Sequence, residues 1–323
     1  GGTFYRTFAD NFGYVYQHYS DIEEIDIETG AGSDELYAVG GRDRFITQGG
    51  NDRIHGADKG DTIVAGEGHD WAHLDLRFDP ATETDPAEDI SLVLADIASA
   101  EAVFFAGTGD ETHVQGLEQF TLYTGAGNDT VDTRGVGSNY NVFNKSNYFD
   151  AADGDDLFAT DLSALGFSRF VAGEGYDKLI LDWSATLHAT MLLSNSTDTF
   201  YRTYVDNYGY TYLYYSDIDE IDIETGAGSD ILYAIGGRDR FITQGANDRI
   251  HGTDKGDTII AGEGHDWVSL DLRFDPATET DPAEDITVNL LDLQSNTATY
   301  YAGTADETQL QGIEQIHLYT GAG

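Results

Sequence analysis

The chain has 323 residues, with 16 Lys or Arg against 59 Asp or Glu, so its formal net charge is −43. This charge argues against nucleic acid or anionic lipid as a partner, because like charges repel. Hydrophobic residues make up 40% and aromatic residues 12% of the chain, which is too much for a disordered acidic protein. We therefore expect that a cation neutralises the carboxylates of a folded chain.

Cysteines and long apolar stretches are both missing from the sequence. Without cysteine there is neither a disulfide nor a thiolate metal site. No apolar stretch approaches the roughly 20 residues of a membrane-spanning helix, so we expect no membrane span. The opening "GGTFYRTF" lacks the pattern of a secretory signal. The final "LYTGAG" stops within a repeated motif, and we interpret the chain as a fragment whose export signal would lie outside it.

The first predicted element is an aromatic β-hairpin. "FYRTFADNFGYVYQHY" (residues 4–19) places aromatic residues at alternating positions, and it returns as "FYRTYVDNYGYTYLYY" (residues 200–215). A period of two predicts strands, with one aromatic face packed on the core. The alternative is an aromatic strip that stacks on sugar rings. That strip would include Tyr14, Tyr16, Tyr210, Tyr212 and Tyr214.

After the hairpin, aspartates recur every nine residues. The series is Asp34, Asp43, Asp52, Asp61 and Asp70. Two residues after each aspartate stand Leu36, Phe45, Ile54, Ile63 and Ala72, which we expect to point inward. Neither a helix nor a simple alternating strand has a period of nine, so the pattern indicates a repeat architecture.

The repeat itself is repeated. Residues 4–90 return as residues 200–286 with differences at 14 of 87 positions, and the second aspartate series is Asp230, Asp239, Asp248, Asp257 and Asp266. Each long repeat also contains a degenerate half. Its positions are Asp129, Ser138, Asn147 and Asp156, followed after a slip of three residues by Ser168 and Asp177.

Spacers between the repeat blocks read as strands. "WAHLDLRF", "ISLVLAD", "AVFFA" and "LEQFTLYT" are short and rich in β-branched and aromatic residues, "DPATETDPAEDI" reads as a loop, and "ADIASAEAV" is the one helix candidate. The sequence leaves open whether spacers form separate domains or continue a solenoid. We divide the chain into spacer strands 1–28, a β-roll block 29–74, a β-strand spacer 75–123, a degenerate β-roll block 124–182, a spacer 183–224, a β-roll block 225–270, a spacer 271–320 and the start of a further block 321–323.

A nonapeptide has the length of a short strand plus a tight turn, so two nonapeptides make one 18-residue coil. Stacked coils share a narrow apolar core that a single repeat could not bury. Glycines belong in the turns, where a positive φ is needed and carbonyls converge. Carbonyl and carboxylate oxygens are hard ligands that suit calcium.

These nonapeptides resemble the RTX (repeats-in-toxin) family through "GAGSDEL", "GEGHDWA", "GAGNDTV", "GEGYDKL", "GAGSDIL" and "GEGHDWV". The resemblance implies an all-β fold of tandem calcium-binding parallel β-roll (solenoid) blocks joined by β-strand spacers, with Ca²⁺ as the cofactor. It pairs Asp34 with Asp52, Asp52 with Asp70 and Asp43 with Asp61 across successive coils. The implied metal-site residues are Gly30, Gly32, Asp34, Gly41, Asp43, Gly50, Asp52, Asp61, Gly66, Gly68, Asp70, Gly125, Gly127, Asp129, Asp156, Gly173, Gly175, Asp177, Gly226, Gly228, Asp230, Gly237, Asp239, Asp248, Asp257, Gly262, Gly264 and Asp266.

The middle of each block departs from the family pattern. Lys59 and Lys255 stand two residues before Asp61 and Asp257, where glycine is usual. Half of all 16 basic residues lie in these blocks, namely Arg42, Arg44, Arg53, Lys59, Arg238, Arg240, Arg249 and Lys255. Either they cover the sheet faces while calcium binds beneath them, or they replace calcium as fixed counter-charges.

Other site chemistries find little support. His69 and His73 have i, i+4 spacing, but the second copy has Ser269 opposite His73, so we interpret them as surface histidines of a turn. There is no cysteine, no G-x-S-x-G motif and no serine–histidine–aspartate set common to both copies. We expect no enzymatic activity.

The sequence therefore predicts a calcium-dependent structural module of a large secreted or cell-surface RTX-type bacterial protein, adhesin-like or surface-layer-like. It would fold on binding calcium after export. Its partners would be calcium ions and a polysaccharide or another cell surface, without nucleic acid. The alternative is a carbohydrate-binding module that uses the tyrosine-rich strands.

Overall fold

The computed structural model describes residues 3–9, 13–19, 21–77, 88–97, 100–135, 146–162, 167–194, 199–205, 209–273, 287, 297–302 and 307–320. The chain divides into two compact units. Unit 1 comprises residues 1–158 and 167–175, and unit 2 comprises residues 159–166 and 176–323. Among the described residues, no helix is long and apolar enough to cross a membrane.

Unit 1 consists almost entirely of strands. They are β1 (Thr3–Ala9), β2 (Gly13–Tyr19), β3 (Asp26–Glu28), β4 (Glu35–Tyr37), β5 (Arg44–Ile46), β6 (Gly49–Gly50), β7 (Arg53–Asp58), β8 (Thr62–Val64), β9 (Glu67–Gly68), β10 (Trp71–Asp75), β11 (Ser91–Val93), β12 (Ala102–Phe104), β13 (Thr112–Gln115), β14 (Gln119–Tyr123), β15 (Thr130–Asp132), β16 (Ser146–Asp150) and β18 (Phe167–Val171), while β17 (Leu157–Asp161) crosses the division between the units. The one helix, α1 (Leu94–Ile97), has four residues and lies at the start of the segment that the sequence left as a helix candidate.

The two nonapeptides of a coil contribute one strand to each of two sheets. In the first, β4, β7 and β10 pair in parallel, and in the second, β3, β5 and β8 do the same. Residues 18 apart are register partners, as Leu36 is to Ile54 and Phe45 is to Ile63. This confirms the predicted parallel β-roll, and it gives the roll two edges of turns.

The core lies between the two sheets and is built by the residues two positions after each aspartate. Leu36, Phe45, Ile54, Ile63 and Ala72 are all buried, as predicted from their spacing. In the degenerate half, Val131, Phe149 and Phe158 take the same role. Because every coil is too thin to bury its apolar face alone, the core exists only when coils stack.

Spacer strands continue the roll of unit 1. β14 joins β10 in parallel, and β13 joins β8 in parallel, so each sheet gains a strand from the spacer. β16 and β18 of the degenerate block extend the first sheet in turn. The spacer strands β13 and β14 therefore continue the solenoid, which the sequence had left open.

Unit 2 repeats this plan. Its strands are β19 (Lys178–Trp183), β20 (Met191–Ser194), β21 (Thr199–Val205), β22 (Gly209–Ser216), β23 (Glu220–Thr225), β24 (Ile231–Tyr233), β25 (Arg240–Ile242), β26 (Arg249–Thr253), β27 (Thr258–Ile260), β28 (Trp267–Asp271), β29 (Ala298–Tyr300), β30 (Thr308–Gln311) and β31 (Gln315–Tyr319). β24, β26, β28 and β31 pair in parallel in one sheet, and β23, β25, β27 and β30 in the other.

The tyrosine-rich segment of unit 2 forms the predicted hairpin of β21 and β22. One face is buried through Tyr201, Leu213 and Tyr215. The other carries Tyr210, which is 52% exposed, and the half-buried Tyr212. The aromatic residues are therefore divided between core and surface.

Candidate metal centre

Each repeat aspartate caps the backbone of the coil before it. The backbone N–H of Asp34 donates to Oδ1 of Asp52 at 2.8 Å, and that of Asp52 donates to Oδ1 of Asp70 at 2.8 Å. On the other edge the N–H of Asp43 donates to Oδ1 of Asp61 at 2.8 Å. The same bonds recur in unit 2, from Asp230 to Asp248, from Asp239 to Asp257 and from Asp248 to Asp266. The structure thus brings together the three aspartate pairs named from the sequence.

The second carboxylate oxygen differs between the two edges of the roll, except that Oδ2 of Asp230 accepts from the hydroxyl of Thr225. We call the turns that end at Asp43, Asp61, Asp239 and Asp257 the Asp61 edge. There Oδ2 of Asp61 accepts from the N–H of Asp58 at 2.9 Å. Oδ2 of Asp257 accepts from the N–H of Asp254 at 2.8 Å, and Oδ2 of Asp43 and Asp239 is bonded in the same way. Both oxygens of these aspartates therefore hydrogen-bond to the backbone.

We call the opposite turns, which end at Asp34, Asp52, Asp70, Asp230, Asp248 and Asp266, the Asp52 edge. Among the described residues, Oδ2 of Asp70 and Oδ2 of Asp266 are buried and accept no hydrogen bond. Both residues are only 1% exposed. A buried carboxylate oxygen without a partner is strongly destabilising unless a cation compensates it.

Backbone carbonyls of the Asp52 edge lie against the turn of the next coil. Gly68 has φ +150, and a Cβ on it would lie 1.6 Å from the carbonyl oxygen of Gly50. Gly264 has φ +157 and meets the carbonyl oxygen of Ala246 at the same 1.6 Å. Because a carbonyl oxygen of one coil lies so close to the aspartate-bearing turn of the next, only glycine fits at these two positions.

Carbonyl and carboxylate oxygens together fit calcium, which takes hard oxygen ligands. Among the described residues, no group of three or more His, Asp or Glu side chains is arranged to hold a metal ion. The ligand set of the Asp52 edge would therefore combine one aspartate oxygen per turn with backbone carbonyls.

Burial raises the pKa of these aspartates. Loss of solvation raises the pKa of Asp70 to about 7 and that of Asp266 to about 6. On the other edge, burial and neighbouring carboxylates raise the pKa of Asp61 to about 8 and that of Asp257 to about 9. The ionised, metal-free fold is therefore disfavoured at neutral pH, and either protons or a cation must compensate it.

A pH dependence follows for the calcium-free chain. Because the pKa values in the folded state lie above the ordinary value of 3.8, the folded chain binds more protons than the unfolded chain. This stabilisation is complete below about pH 4 and is lost as the pH rises through about 6 to 9. In excess EDTA we expect a stronger β-sheet signal in circular dichroism at pH 5 than at pH 8. A stronger signal at pH 8 would contradict the pKa shifts.

Comparison with protein families agrees with this geometry. A family model described as RTX calcium-binding nonapeptide repeat (4 copies) matches residues 28–58, 55–75, 121–135, 222–248 and 242–272. The chain carries RTX calcium-binding nonapeptide repeats. These matches include the Asp52 edges and Asp61 edges of both complete blocks. No curated protein matches the chain.

The basic residues of the RTX repeats contact other groups than the repeat aspartates. Lys59 is 6% exposed, and its Nζ lies 3.7 Å from Oε2 of Glu88 and 4.1 Å from the ring centre of Phe105. Nη1 of Arg44 lies 2.8 Å from Oδ1 of Asp26 on the outer sheet face. Arg44 therefore lies on a sheet face, as the first alternative from the sequence predicts, whereas the buried Lys59 lies within the turn before Asp61.

Two acids on the Asp61 edge, the buried Asp58 and the half-buried Asp254, were missed from the sequence. Asp58 is 7% exposed, and its pKa is raised to about 7 by burial and by the nearby Asp43 and Asp75. Asp254 has a pKa raised to about 7 for the same reason, with Asp239 and Asp271 as neighbours. The signal was present in the D-K-G-D turn of both copies, where an aspartate precedes the repeat aspartate by three positions.

The degenerate half keeps the capping bond without the charge at Asn147, whereas Asp156 keeps both and accepts from the N–H of Asp129 at 2.7 Å. Oδ1 of Asn147 accepts from the N–H of Phe120 at 3.0 Å, as a repeat aspartate would. Phe170 stacks on Phe149 and Phe158 at ring distances of 5.4 and 4.8 Å, which adds apolar packing. Ser138 and Leu165, which occupy expected aspartate positions, lie outside the described residues.

This half should therefore tolerate calcium removal better than the complete blocks. After chelation we expect β16 and β18 to keep their amide protection longer than β4, β7 and β10, because aromatic burial rather than a cation holds them. Hydrogen exchange read by mass spectrometry measures this order. Earlier opening of β16 and β18 would contradict it.

The histidine interpretation needs one correction. His73 lies on β10 and not in a turn, where it packs between Trp71 at 6.4 Å and Tyr123 at 5.6 Å. Nδ1 of His69 lies 3.9 Å from Oε2 of Glu118. His73 is on the outer face because alternate residues of a strand point to opposite faces.

Proposed function

We propose that this chain is a calcium-dependent structural module of a secreted or cell-surface RTX-type protein, adhesin-like or surface-layer-like. The observation that carries the proposal is the buried Oδ2 of Asp70 and of Asp266, without a hydrogen bond, in turns where Gly68 and Gly264 lie against carbonyl oxygens of the preceding coil. The RTX repeats supply the family context. The role is mechanical and not catalytic.

The Asp52 edge would hold the calcium ions. Asp34, Asp52, Asp70, Asp230, Asp248 and Asp266 would each supply a carboxylate oxygen, and the glycine-rich turns would supply carbonyls. When bound, calcium provides the positive charge that lets these carboxylates remain ionised while buried. The chain's own contribution is to fix the coil spacing through the capping bonds and to exclude water from the edge.

In this proposal the repeat aspartates of the Asp61 edge need no ion, and the described acids left there with a buried oxygen without a hydrogen bond are Asp58 and Asp254, each through Oδ1. Both carboxylate oxygens of each repeat aspartate on this edge accept hydrogen bonds from backbone N–H groups, namely in Asp43, Asp61, Asp239 and Asp257. Backbone hydrogen bonds favour the ionised carboxylate, but burial outweighs them here and raises the pKa of Asp61 to about 8 and that of Asp257 to about 9. A proton would therefore compensate these acids at neutral pH in place of a metal. The two edges would then differ in function. The Asp52 edge would become ordered when it binds calcium, and the Asp61 edge would be held by its hydrogen bonds.

Export would expose the chain to enough calcium to order the Asp52 edge. Extracellular calcium modules bind at roughly 10⁻⁴–10⁻³ M, far above the calcium concentration inside a cell. A chain of net charge −43 would stay loose inside and become ordered outside. Isothermal titration calorimetry should show calcium binding that saturates in the millimolar range. Circular dichroism should show a gain of β-sheet signal over the same range. Binding heat without any gain of structure would overturn the proposal.

Carbohydrate binding through the hairpin of unit 2 is the second candidate. The outward Tyr210 lies 6.4 Å from Tyr212, and the guanidinium of Arg202 stacks over the Tyr210 ring at 4.4 Å. Such a strip offers aromatic surface to sugar rings. Binding of a polysaccharide that is lost in the double variant Tyr210→Ala/Tyr212→Ala would support it, and unchanged binding would contradict it.

A further inference from the structure

A groove on the outer face of unit 2 lies beside the Asp52 edge. It has a volume of about 520 Å³, within the range of small-molecule sites. Its lining brings together residues far apart in sequence, including Asn247, Trp267 and Gln315. They meet because β26, β28 and β31 are neighbours in one parallel sheet.

One wall of the groove is aromatic. Trp267 stands between Arg249 and Gln315 in the strand register. His251 packs on it at 4.7 Å with a 54° tilt, and Tyr233 stacks on His251 at 4.5 Å. Burial lowers the pKa of His251, so its ring stays neutral at pH 7. The wall is an indole that His251 supports and that remains half-exposed.

The rim of the groove carries polar side chains whose head groups are planar. Arg249, Asn247, His265 and Gln315 are exposed around the indole. Oδ1 of Asn247 accepts from the backbone N–H of His265 at 2.9 Å, which directs the amide nitrogen away from that bond. Amide, guanidinium and imidazole groups around an aromatic plane can hydrogen-bond to several hydroxyl groups of one ligand.

Charge restricts the class of ligand. The chain carries a net charge of −43, which disfavours nucleic acid and anionic glycans. Asp230 and Asp248 also line the groove, and calcium on the Asp52 edge would compensate their charge. A neutral sugar offers a flat C–H face to the indole and hydroxyl groups to the rim. We propose that this groove binds a neutral saccharide, with Trp267 as the stacking platform and Arg249, Asn247 and Gln315 as hydrogen-bonding residues.

The first copy supplies a natural comparison. Trp71, His55, Arg53 and Gln119 repeat the arrangement, but Glu35 replaces Ile231. Oε1 of Glu35 accepts from the Tyr37 hydroxyl at 2.9 Å and lies 3.5 Å from Nε2 of His55. A carboxylate therefore occupies this place in unit 1, and we expect weaker saccharide binding there.

The test titrates laminarihexaose, cellohexaose, chitohexaose and mannohexaose into the full chain in excess calcium. Binding is followed by tryptophan fluorescence and calorimetry. At least one of the four should bind, and Trp267→Ala should weaken it by roughly tenfold, the loss of one aromatic contact. Ile231→Glu should weaken it as well, whereas Trp71→Ala should have less effect. Circular dichroism in calcium checks that each variant is folded.

The controls separate this site from the other aromatic surface. Tyr210→Ala/Tyr212→Ala should leave the affinity unchanged if the groove is the site. Loss of binding in that variant with retention in Trp267→Ala would overturn the proposal and favour the hairpin. Failure of all four neutral probes, or tighter binding of oligogalacturonate, would also overturn it. Calcium titration of Trp267→Ala should match the parent chain, so failure here is distinguishable from failure of the calcium proposal.

Discussion

Removal of calcium should unfold the complete blocks of both units, with the degenerate half opening last. In excess EGTA at pH 7.5 we expect loss of the β-sheet signal in circular dichroism and a radius of gyration that rises toward about 60 Å, as for an unfolded chain of this length. At tenfold excess over its dissociation constant, each calcium site contributes about 1.4 kcal/mol by mass action. Four sites would supply about 6 kcal/mol, which is the scale of a whole domain's stability.

Two controls separate calcium binding from simple screening of the −43 charge. Sodium chloride at 1 M shortens the range of charge repulsion to about 3 Å, yet it supplies no ligand for buried oxygens. Magnesium keeps its waters and demands a stricter geometry. Neither should restore the fold at concentrations where calcium does. Full refolding in sodium chloride alone, or unchanged structure in EGTA, would show that calcium is not the switch.

The two edges should respond differently to the loss of one aspartate charge. Asp266→Asn keeps one oxygen for the N–H of Asp248 and loses the charge offered to calcium, as Asn147 already does in its own coil. We expect a higher calcium midpoint, fewer bound ions, and a normal fold at saturating calcium. Calorimetry and circular dichroism measure these quantities.

Asp257→Asn should do the opposite. Both oxygens of Asp257 accept backbone N–H groups, so the amide nitrogen would face a donor from either Asp239 or Asp254. We expect a stability loss of about 1–3 kcal/mol at saturating calcium, the cost of one unsatisfied buried donor, with the number of bound ions unchanged. Asp70→Asn and Asp61→Asn repeat the comparison in unit 1. A reduced ion count in Asp257→Asn would place calcium on the Asp61 edge after all.

Much of the site was predictable because the same aspartate and glycine positions recur in every repeat. The spacing of the aspartates gave the 18-residue coil, and glycines such as Gly68 and Gly264 marked the crowded turns. The state of each carboxylate was not predictable. Asp61 and Asp70 stand in the same register, yet only the folded turn decides whether an N–H such as that of Asp58 reaches the second oxygen.

The sequence by itself determined the parallel β-roll, its coil length and its core. Leu36, Phe45, Ile54 and Ile63 are buried because a strict period of nine leaves a single way to place one apolar residue per strand inside. The tertiary structure alone decided the division into two unlike edges and the groove at Trp267. Both depend on contacts between coils. Gln315 reaches Trp267 across 48 residues because a spacer strand joins the sheet in register, and no local pattern encodes that distance.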